Sequence, residues 1–251
     1  MPLAPKAMME RLAPLYGEPR HMPHGDAVAE LVLTVLSQNT ADTNSGRAFT
    51  QLMRTYPSWS AIADAPPDDV VAAIKGGGLA QQKAPRIQAI LRAVRERSPT
   101  FELVFLATVP LEDARAWLRS LPGVGPKTAA CVLLFALGRP AMPVDTHVER
   151  VAKRLGLIPG STTPEQAHDL LEALVDPGDY YRLHMLLIKH GRRLCAARRP
   201  RCEECPLEPD CPSSLLRPDA QSSPNGSSPT VSSDPAASAG SRSSRATRRS
   251  R

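Results

Sequence analysis

Residues Leu121–Ala130 read LPGVGPKTAA and lie between two segments with apolar residues at helical spacing, Pro110–Ser120 and Lys127–Leu137. Gly123 and Gly125 allow backbone conformations that other residues resist, so the chain can turn sharply and approach a ligand closely. Because the second helix begins directly after the turn, unpaired backbone N–H groups and the positive end of the helix dipole face outward. The stretch predicts two helices joined by a hairpin that can bind a phosphate. A tight turn that only connects two helices is the alternative.

The chain on both sides of this hairpin follows the same helical pattern. Pro67–Lys75 begins with a proline and two acids and ends at three glycines, as helix termini prefer. Apolar periodicity also predicts helices over Asp26–Ser37, Ala41–Met53, Leu79–Arg97, Thr146–Leu155, Pro164–Val175 and Asp179–Leu194. No pair of segments with alternating apolar and polar residues competes with them, so the predicted fold class is all-α.

Composition predicts an ordinary soluble globular protein. The 251 residues are 42% hydrophobic and 22% charged, and no apolar run approaches the roughly 20 residues that span a bilayer. The N-terminus lacks the apolar core of a secretory signal, so we expect a cytoplasmic location and no membrane partner. Much of the net charge of +6 comes from residues 216–251, which hold six arginines and two aspartates among many serines. That tail is predicted to be disordered, and a nucleic-acid interpretation of the body must rest on local clusters.

Four of the five cysteines form the pattern C-x6-C-x2-C-x5-C, namely Cys195, Cys202, Cys205 and Cys211. An odd number of cysteines in a cytosolic chain argues against a disulfide framework and favours a metal or cofactor site. Thiolates suit zinc or an iron–sulfur cluster, and their softness does not choose between the two. Cys131 stands apart in the apolar run AACVLLFAL and is interpreted as a core residue.

Two residues after the hairpin can carry chemistry. Lys127 stands in the first turn of its helix, where the dipole disfavours a cation, so we expect a lowered pKa that suits a nucleophile. A phosphate-binding surface lysine is the alternative. Asp145 precedes Thr146-x-x-Glu149, which has the form of a capping box, so we expect Asp145 just outside the cap and able to project into a cleft beside Lys127. A purely structural Asp-Thr pair is the alternative there.

In this order, the hairpin, the stretch VDTHVER (residues 144–150) and the cysteine pattern resemble the endonuclease III family of DNA glycosylases. The family lies within the helix–hairpin–helix base-excision superfamily. The resemblance covers residues 8–212 and includes LSQNTAD, GGLAQQKA and HGRRLCAARRPRCEECPLEPDC, which begin at residues 36, 77 and 190. It implies a two-lobed fold with DNA across the cleft. Residues 26–139 would form a six-helix barrel with the hairpin, and residues 1–25 and 140–215 an iron–sulfur lobe.

The resemblance also implies the roles of individual residues. The four clustered cysteines would ligate a [4Fe–4S] cluster, Lys127 would attack C1′ of the damaged nucleoside, and Asp145 would stabilise the positive charge on the sugar. DNA contacts would come from the hairpin, from the loop between the first two cysteines and from two residues that enter the duplex. These are Gly123, Gly125, Arg198, Arg199, Arg201, Gln38 and Leu79. The stretch LSQNTAD departs from the LSAQATD of many members because the acid is shifted relative to the glutamine, which leaves the preferred lesion open.

The implied function is that of a bifunctional base excision repair enzyme. Such an enzyme removes oxidised pyrimidines and then cleaves the strand 3′ to the abasic site by β-elimination through a lysine Schiff base. Its partner would be double-stranded DNA with damaged bases or abasic sites, and we expect a monomer. Two alternatives stay open: a glycosylase for thymine or uracil opposite guanine, and a non-catalytic iron–sulfur protein that binds DNA. The second alternative has no use for Lys127 and Asp145 together.

Overall fold

The computed structural model describes residues 3–217, which fold into helices joined by turns. The twelve α-helices of this range are α1 (Pro5–Tyr16), α2 (Ala27–Ser37), α3 (Asp42–Thr55), α4 (Trp59–Asp64), α5 (Pro67–Ala73), α6 (Ala80–Arg97), α7 (Phe105–Thr108), α8 (Leu111–Ser120), α9 (Pro126–Cys131), α10 (Thr146–Arg154), α11 (Pro164–Leu174) and α12 (Tyr180–Arg193). No β-strand occurs between residues 3 and 217, so the all-α prediction is confirmed. None of the described helices is long and apolar enough to cross a membrane.

The predicted helices are all present, with ends shifted by a few residues, and three further helices were missed. Helices α4 and α7 have six and four residues, too few to show a helical period. Helix α1 contains Pro14, which argues against a helix from sequence, yet its buried residues Met8, Met9 and Leu12 follow helical spacing. The helix predicted over Lys127–Leu137 changes after Cys131 into a π-helical turn, Val132–Ala136. The tail predicted to be disordered lies, from residue 218 onward, outside the described residues.

Buried side chains fall into two separate apolar clusters. The first contains residues between 27 and 141, from α2 to the segment just after the π-helical turn. The second contains residues of α1 between 8 and 16 together with residues between 134 and 207. Helix α1 packs against α12, so the two ends of the described chain share the second cluster. The π-helical turn belongs to both, since Leu133 lies in the first and Leu134 in the second. These clusters form the cores of two lobes that meet along α9.

A buried lysine joins three segments of the first lobe. Lys83 on α6 is only 2% exposed, and its Nζ donates to the carbonyl oxygens of Leu36 (2.6 Å) and Gly77 (3.0 Å) and to Oγ1 of Thr40 (2.6 Å). Burial lowers the pKa of this lysine. The clamp holds the end of α2 beside the turn that precedes α6, where Gly77 approaches Ala48 too closely for any Cβ.

Replacing Lys83 with methionine keeps the length of the side chain but leaves these buried acceptors without their donor. We expect Lys83→Met to lower the free energy of unfolding by about 3 kcal/mol, measured by urea denaturation. The exposed Lys75 provides the matched control, and Lys75→Met should change the same free energy by less than about 0.5 kcal/mol. Equal effects of the two substitutions would show that the clamp does not stabilise the fold.

Candidate functional site

The hairpin between α8 and α9 has the geometry that its sequence predicts. Leu121 and Val124 are buried and anchor the turn, while Gly123 has a φ of 71°, in the region that favours glycine. A Cβ on Gly123 would lie 2.6 Å from Nε of Arg86, so the arginine packs directly against the turn. Gly125 has open space around it and caps α9. The turn is therefore rigid, and the backbone at Gly125 is free to approach a ligand.

Lys127 lies in the first turn of α9 and is partly buried. Burial lowers its pKa, but Cys131, one turn further along the chain, and the carboxylates of Asp145 and Glu30 raise it by more. The net pKa lies above the usual value, so the predicted lowering is wrong, because the sequence could not show how closely these groups surround the lysine. Within residues 3–217, no carboxylate oxygen comes within the 4.0 Å of an ion pair to Lys127. The two carboxylates therefore act on the lysine at a longer range than an ion pair.

Asp145 is itself the N-cap of α10. Its Oδ1 accepts hydrogen bonds from the backbone N–H groups of His147 (2.9 Å) and Val148 (2.8 Å). The predicted capping box with Asp145 outside it is therefore wrong: an aspartate caps at least as well as a threonine, and Glu149 binds Lys153 at 2.6 Å. The cap fixes the Asp145 carboxylate at the positive end of the α10 dipole, where its charge is stabilised. Its charge is one of the causes that raise the pKa of Lys127.

Buried polar side chains of the second lobe hold the segment that leads to Asp145. His168 Nδ1 lies 2.8 Å from the carbonyl oxygen of Met142, His184 Nδ1 lies 2.8 Å from that of Pro143, and the N–H of Met142 donates to Glu172 at 2.7 Å. Each histidine must donate, since a carbonyl oxygen only accepts. Burial lowers the pKa of His184 to about 4, so its ring is neutral at pH 7. Sequence reasoning missed these residues; the only signal was a polar residue at a position with core spacing.

The four clustered cysteines line one cavity in the second lobe, together with Leu155, Leu194, His190 and Arg154. Arg154 lies 3.3 Å from Cys195 Sγ, and it also donates to the carbonyl oxygens of Ala196 and Ala197 in the loop that follows. No three His, Cys, Asp or Glu side chains of the described range lie close enough to hold a single metal ion. Four thiols around one cavity are nevertheless a donor set that fits a soft metal centre. Cys131 lies elsewhere, buried in the apolar run as predicted, but next to Lys127.

The arginines between the first two cysteines differ from one another. Arg198 and Arg199 are exposed, and Arg199 has a φ of 53°. Arg201 is also exposed but binds Glu204 at 3.1 Å and the carbonyl oxygen of Arg193 at 2.8 Å. Arg198 and Arg199 are thus the two arginines of this loop that point their charge to solvent, while Arg201 braces the loop.

The two residues predicted to enter the duplex lie on adjoining turns of the first lobe. Gln38 directly follows α2 as its C-cap, and its Oε1 accepts a hydrogen bond from Arg86 at 2.7 Å. Leu79 precedes α6 with a φ of 52° and is 47% exposed, which is unusual for a large apolar side chain in a strained conformation. Because Arg86 touches both Gln38 and the hairpin glycine, these elements form one surface.

Comparison with known proteins identifies relatives of this chain. Residues 32–177 match the family model described as "HhH-GPD superfamily base excision DNA repair protein". An endonuclease III of Thermotoga maritima is 37% identical over 193 residues, which cover 77% of this chain and 86% of the relative. A solved complex of a trapped endonuclease III–DNA covalent intermediate superposes with a TM-score of 0.72 at 28% identity, covering 83% of this chain and 94% of that one. A thermostable thymine-DNA glycosylase shares the fold, with a TM-score of 0.67 at 23% identity, covering 83% and 95% of the two chains.

The neutral, buried ring of His184 makes stability depend on pH. Its pKa is about 4 when folded and 6.5 when exposed, so the unfolded chain binds the extra proton and stability falls as pH drops from 6.5 towards 4. We compare the free energies of unfolding of wild type and His184→Gln by urea denaturation. The difference between them should be smaller by about 2 kcal/mol at pH 5 than at pH 7. The substitution His21→Gln, at an exposed histidine, is the control. A difference between wild type and His184→Gln that does not change with pH would contradict a neutral buried ring.

Proposed function

The chain belongs to the HhH-GPD superfamily of base excision DNA repair proteins, and on that premise we propose that Lys127 and Asp145 perform both base removal and strand cleavage. A base excision repair DNA glycosylase is the activity that its endonuclease III relatives establish. The observation that supports the finer proposal is that Lys127 begins α9, where the two lobes meet, while two backbone N–H groups fix the carboxylate of Asp145 at the start of α10.

Base removal needs Lys127 as a neutral amine. Its Nζ attacks C1′ of the flipped nucleotide, the new C–N bond forms as the glycosidic bond breaks, and the base leaves with the bonding electrons and takes up a proton. Positive charge develops on the sugar during this step. Asp145 is suited to stabilise that charge because the two N–H groups that hold its carboxylate prevent it from moving away.

Strand cleavage follows from the same covalent bond. The sugar ring opens to a Schiff base with Lys127, a proton is lost from C2′, and the C3′–O bond breaks by β-elimination. The proposed substrates are oxidised pyrimidines in double-stranded DNA and abasic sites. A glycosylase for thymine or uracil opposite guanine remains the second candidate, with a thymine-DNA glycosylase among the proteins of the same fold. A non-catalytic DNA-binding protein is disfavoured, because it would not need Lys127 and Asp145 to converge.

DNA contacts are proposed on both lobes. Gln38 and Leu79 would fill the space of the flipped nucleotide, since they project from adjoining turns that Lys83 clamps together. The hairpin backbone at Gly125 and the exposed Arg198 and Arg199 would contact phosphates, which position the duplex without reading its sequence.

We further propose that Cys195, Cys202, Cys205 and Cys211 hold a [4Fe–4S] cluster, which the endonuclease III family is known to carry. The four thiols line one cavity beside apolar Leu155 and Leu194, which fits a group ligated only by thiolates. When bound, the cluster would supply a covalent link that ties residues 196–201 at both ends. Arg154 already binds the carbonyl oxygen of Ala196 at the start of this loop, and Arg201 at its end binds that of Arg193.

The role of Lys127 can be tested by borohydride trapping on a duplex with an abasic site. We expect Lys127→Gln to bind this duplex and to form no trapped adduct, and Asp145→Asn to be trapped at least 10-fold more slowly than wild type. Lys153→Gln removes a partly buried lysine of α10 and should be trapped normally. Trapping of the Lys127 variant at the wild-type rate would refute the proposed nucleophile. The same assay with thymine glycol or with uracil opposite guanine distinguishes the two substrate classes.

The cluster is tested by metal analysis of the anaerobically purified protein. We expect a yellow-brown protein with about four irons per chain and a loss of iron in Cys202→Ser. Cys131→Ser is the matched control and should keep its iron, since Cys131 lies outside the cavity. A colourless protein with one stoichiometric zinc would contradict the proposal.

A further inference from the structure

Besides Asp145 of the second lobe, a carboxylate of the first lobe acts on Lys127. The proposed mechanism does not use this second carboxylate. Glu30 stands in the first turn of α2 and is only 8% exposed, although the face of α2 around it is apolar. Helix α2 packs against α9, which carries Lys127. Burial of a carboxylate is costly unless it has partners, so a residue at this position needs a reason.

Two side chains hold the Glu30 carboxylate in place. Thr34, one turn further along α2, donates its hydroxyl to Oε1 at 3.0 Å, and Nε2 of His24 lies 3.2 Å from Oε2. The N–H of Asp26 points at Nδ1 of His24 at 3.3 Å, so Nδ1 accepts and the ring proton is on Nε2, directed at Glu30. The carboxylate therefore faces one fixed direction instead of rotating freely.

His24 itself is attached to the helix that carries Lys127. Its backbone N–H and that of Gly25 donate to the carbonyl oxygens of Phe135 and Ala136, at 3.4 and 2.9 Å, at the end of the π-helical turn. The imidazole is 44% exposed, so His24 connects the buried Glu30 to solvent. Hydrogen bonds therefore connect the Glu30 carboxylate, through His24, to the π-helical turn that continues α9.

The charge of Glu30 acts on Lys127. Glu30 is among the groups that raise the pKa of Lys127, and Lys127 in turn opposes the rise that burial causes in the pKa of Glu30. The other ionisable groups that face Lys127 are Cys131 of α9 and Asp145 at the start of α10, with His184 of α12 beside Asp145. Cys131 is a neutral thiol at pH 7, because burial raises its pKa to about 11. Glu30 and Asp145 are the two carboxylates of this set.

We propose that Glu30, held by His24 and Thr34 on the helix that packs against α9, is a positioning residue that presents a fixed carboxylate to Lys127 from the first lobe. Glu30 touches neither DNA nor the reacting atoms in this role; it acts on the lysine from the first lobe, while Asp145 acts from the second. The inference rests on the proposed function of Lys127 as a nucleophile.

The test is the pH dependence of borohydride trapping on a duplex with an abasic site, under single-turnover conditions. Glu30→Gln keeps the shape of the side chain and removes one negative charge. The neutral amine should then be available at lower pH, and the acidic limb of the rate profile should move down by about half to one pH unit. Asp26→Asn is the matched control: it removes one charge from the same end of α2 at an exposed position, keeps the helix cap and should not move the limb.

A second variant covers the case in which Glu30→Gln does not fold, as judged by its thermal transition. His24→Asn changes a half-exposed residue, withdraws the N–H donor from Glu30 and favours the uncharged carboxyl, so the limb should move in the same direction by a smaller amount. Slower trapping with an unmoved limb in both variants would overturn the inference and leave a purely structural role. Absence of trapping in wild type would instead refute the proposed function itself.

Discussion

One helix has to satisfy two hydrophobic cores, and the rest of the site depends on that constraint. The stretch from Pro126 to Ala136 begins at the hairpin and ends as a π-helical turn whose consecutive residues Leu133 and Leu134 enter different clusters. Neighbouring residues of a helix already point in directions roughly 100° apart, so Leu133 and Leu134 can enter different clusters, and the extra residue of the π-helical turn shifts the orientation of the side chains that follow it. The lobes are therefore locked to the same helix, and Lys127 in its first turn has a fixed position relative to both.

Buried polar groups convert this packing into a defined geometry. Lys83 aligns the turns that carry Gln38 and Leu79, while His168, His184 and Glu172 fix the backbone before Asp145. Each of these groups would cost free energy if it lost its partner, so each specifies one arrangement of the segments that it joins. The apolar clusters alone would tolerate small shifts between segments, whereas the hydrogen bonds would not.

Local spacing in the sequence is enough to predict the helices, the hairpin and the grouping of four cysteines around one cavity. It fails where the answer depends on residues far apart in the chain. The direction of the Lys127 pKa shift depends on Cys131 nearby and also on Glu30, 97 positions earlier, and on Asp145 across the lobe boundary, and no periodicity reports these distances. The cap at Asp145 was missed for a different reason, since Thr146 and Glu149 match a capping box equally well in sequence and only the pairing of Glu149 with Lys153 decides between them. The cytoplasmic location, the monomeric state and the roles of the DNA-contact residues stay predictions.

A raised pKa opposes the first step of the proposed role of Lys127, but the charge balance of the whole reaction explains it. The attacking amine has to give up a proton, and the surrounding carboxylates make that step more costly. In the proposed mechanism, however, the protonated nitrogen of the Schiff base carries a positive charge where the ammonium stood. The sugar also carries positive charge earlier, while the glycosidic bond breaks. The same carboxylates that raise the pKa of Lys127 in the free protein would therefore stabilise the cationic species in which the proposed β-elimination occurs. A site without them would deprotonate its lysine easily and would lose the electrostatic stabilisation of the later steps.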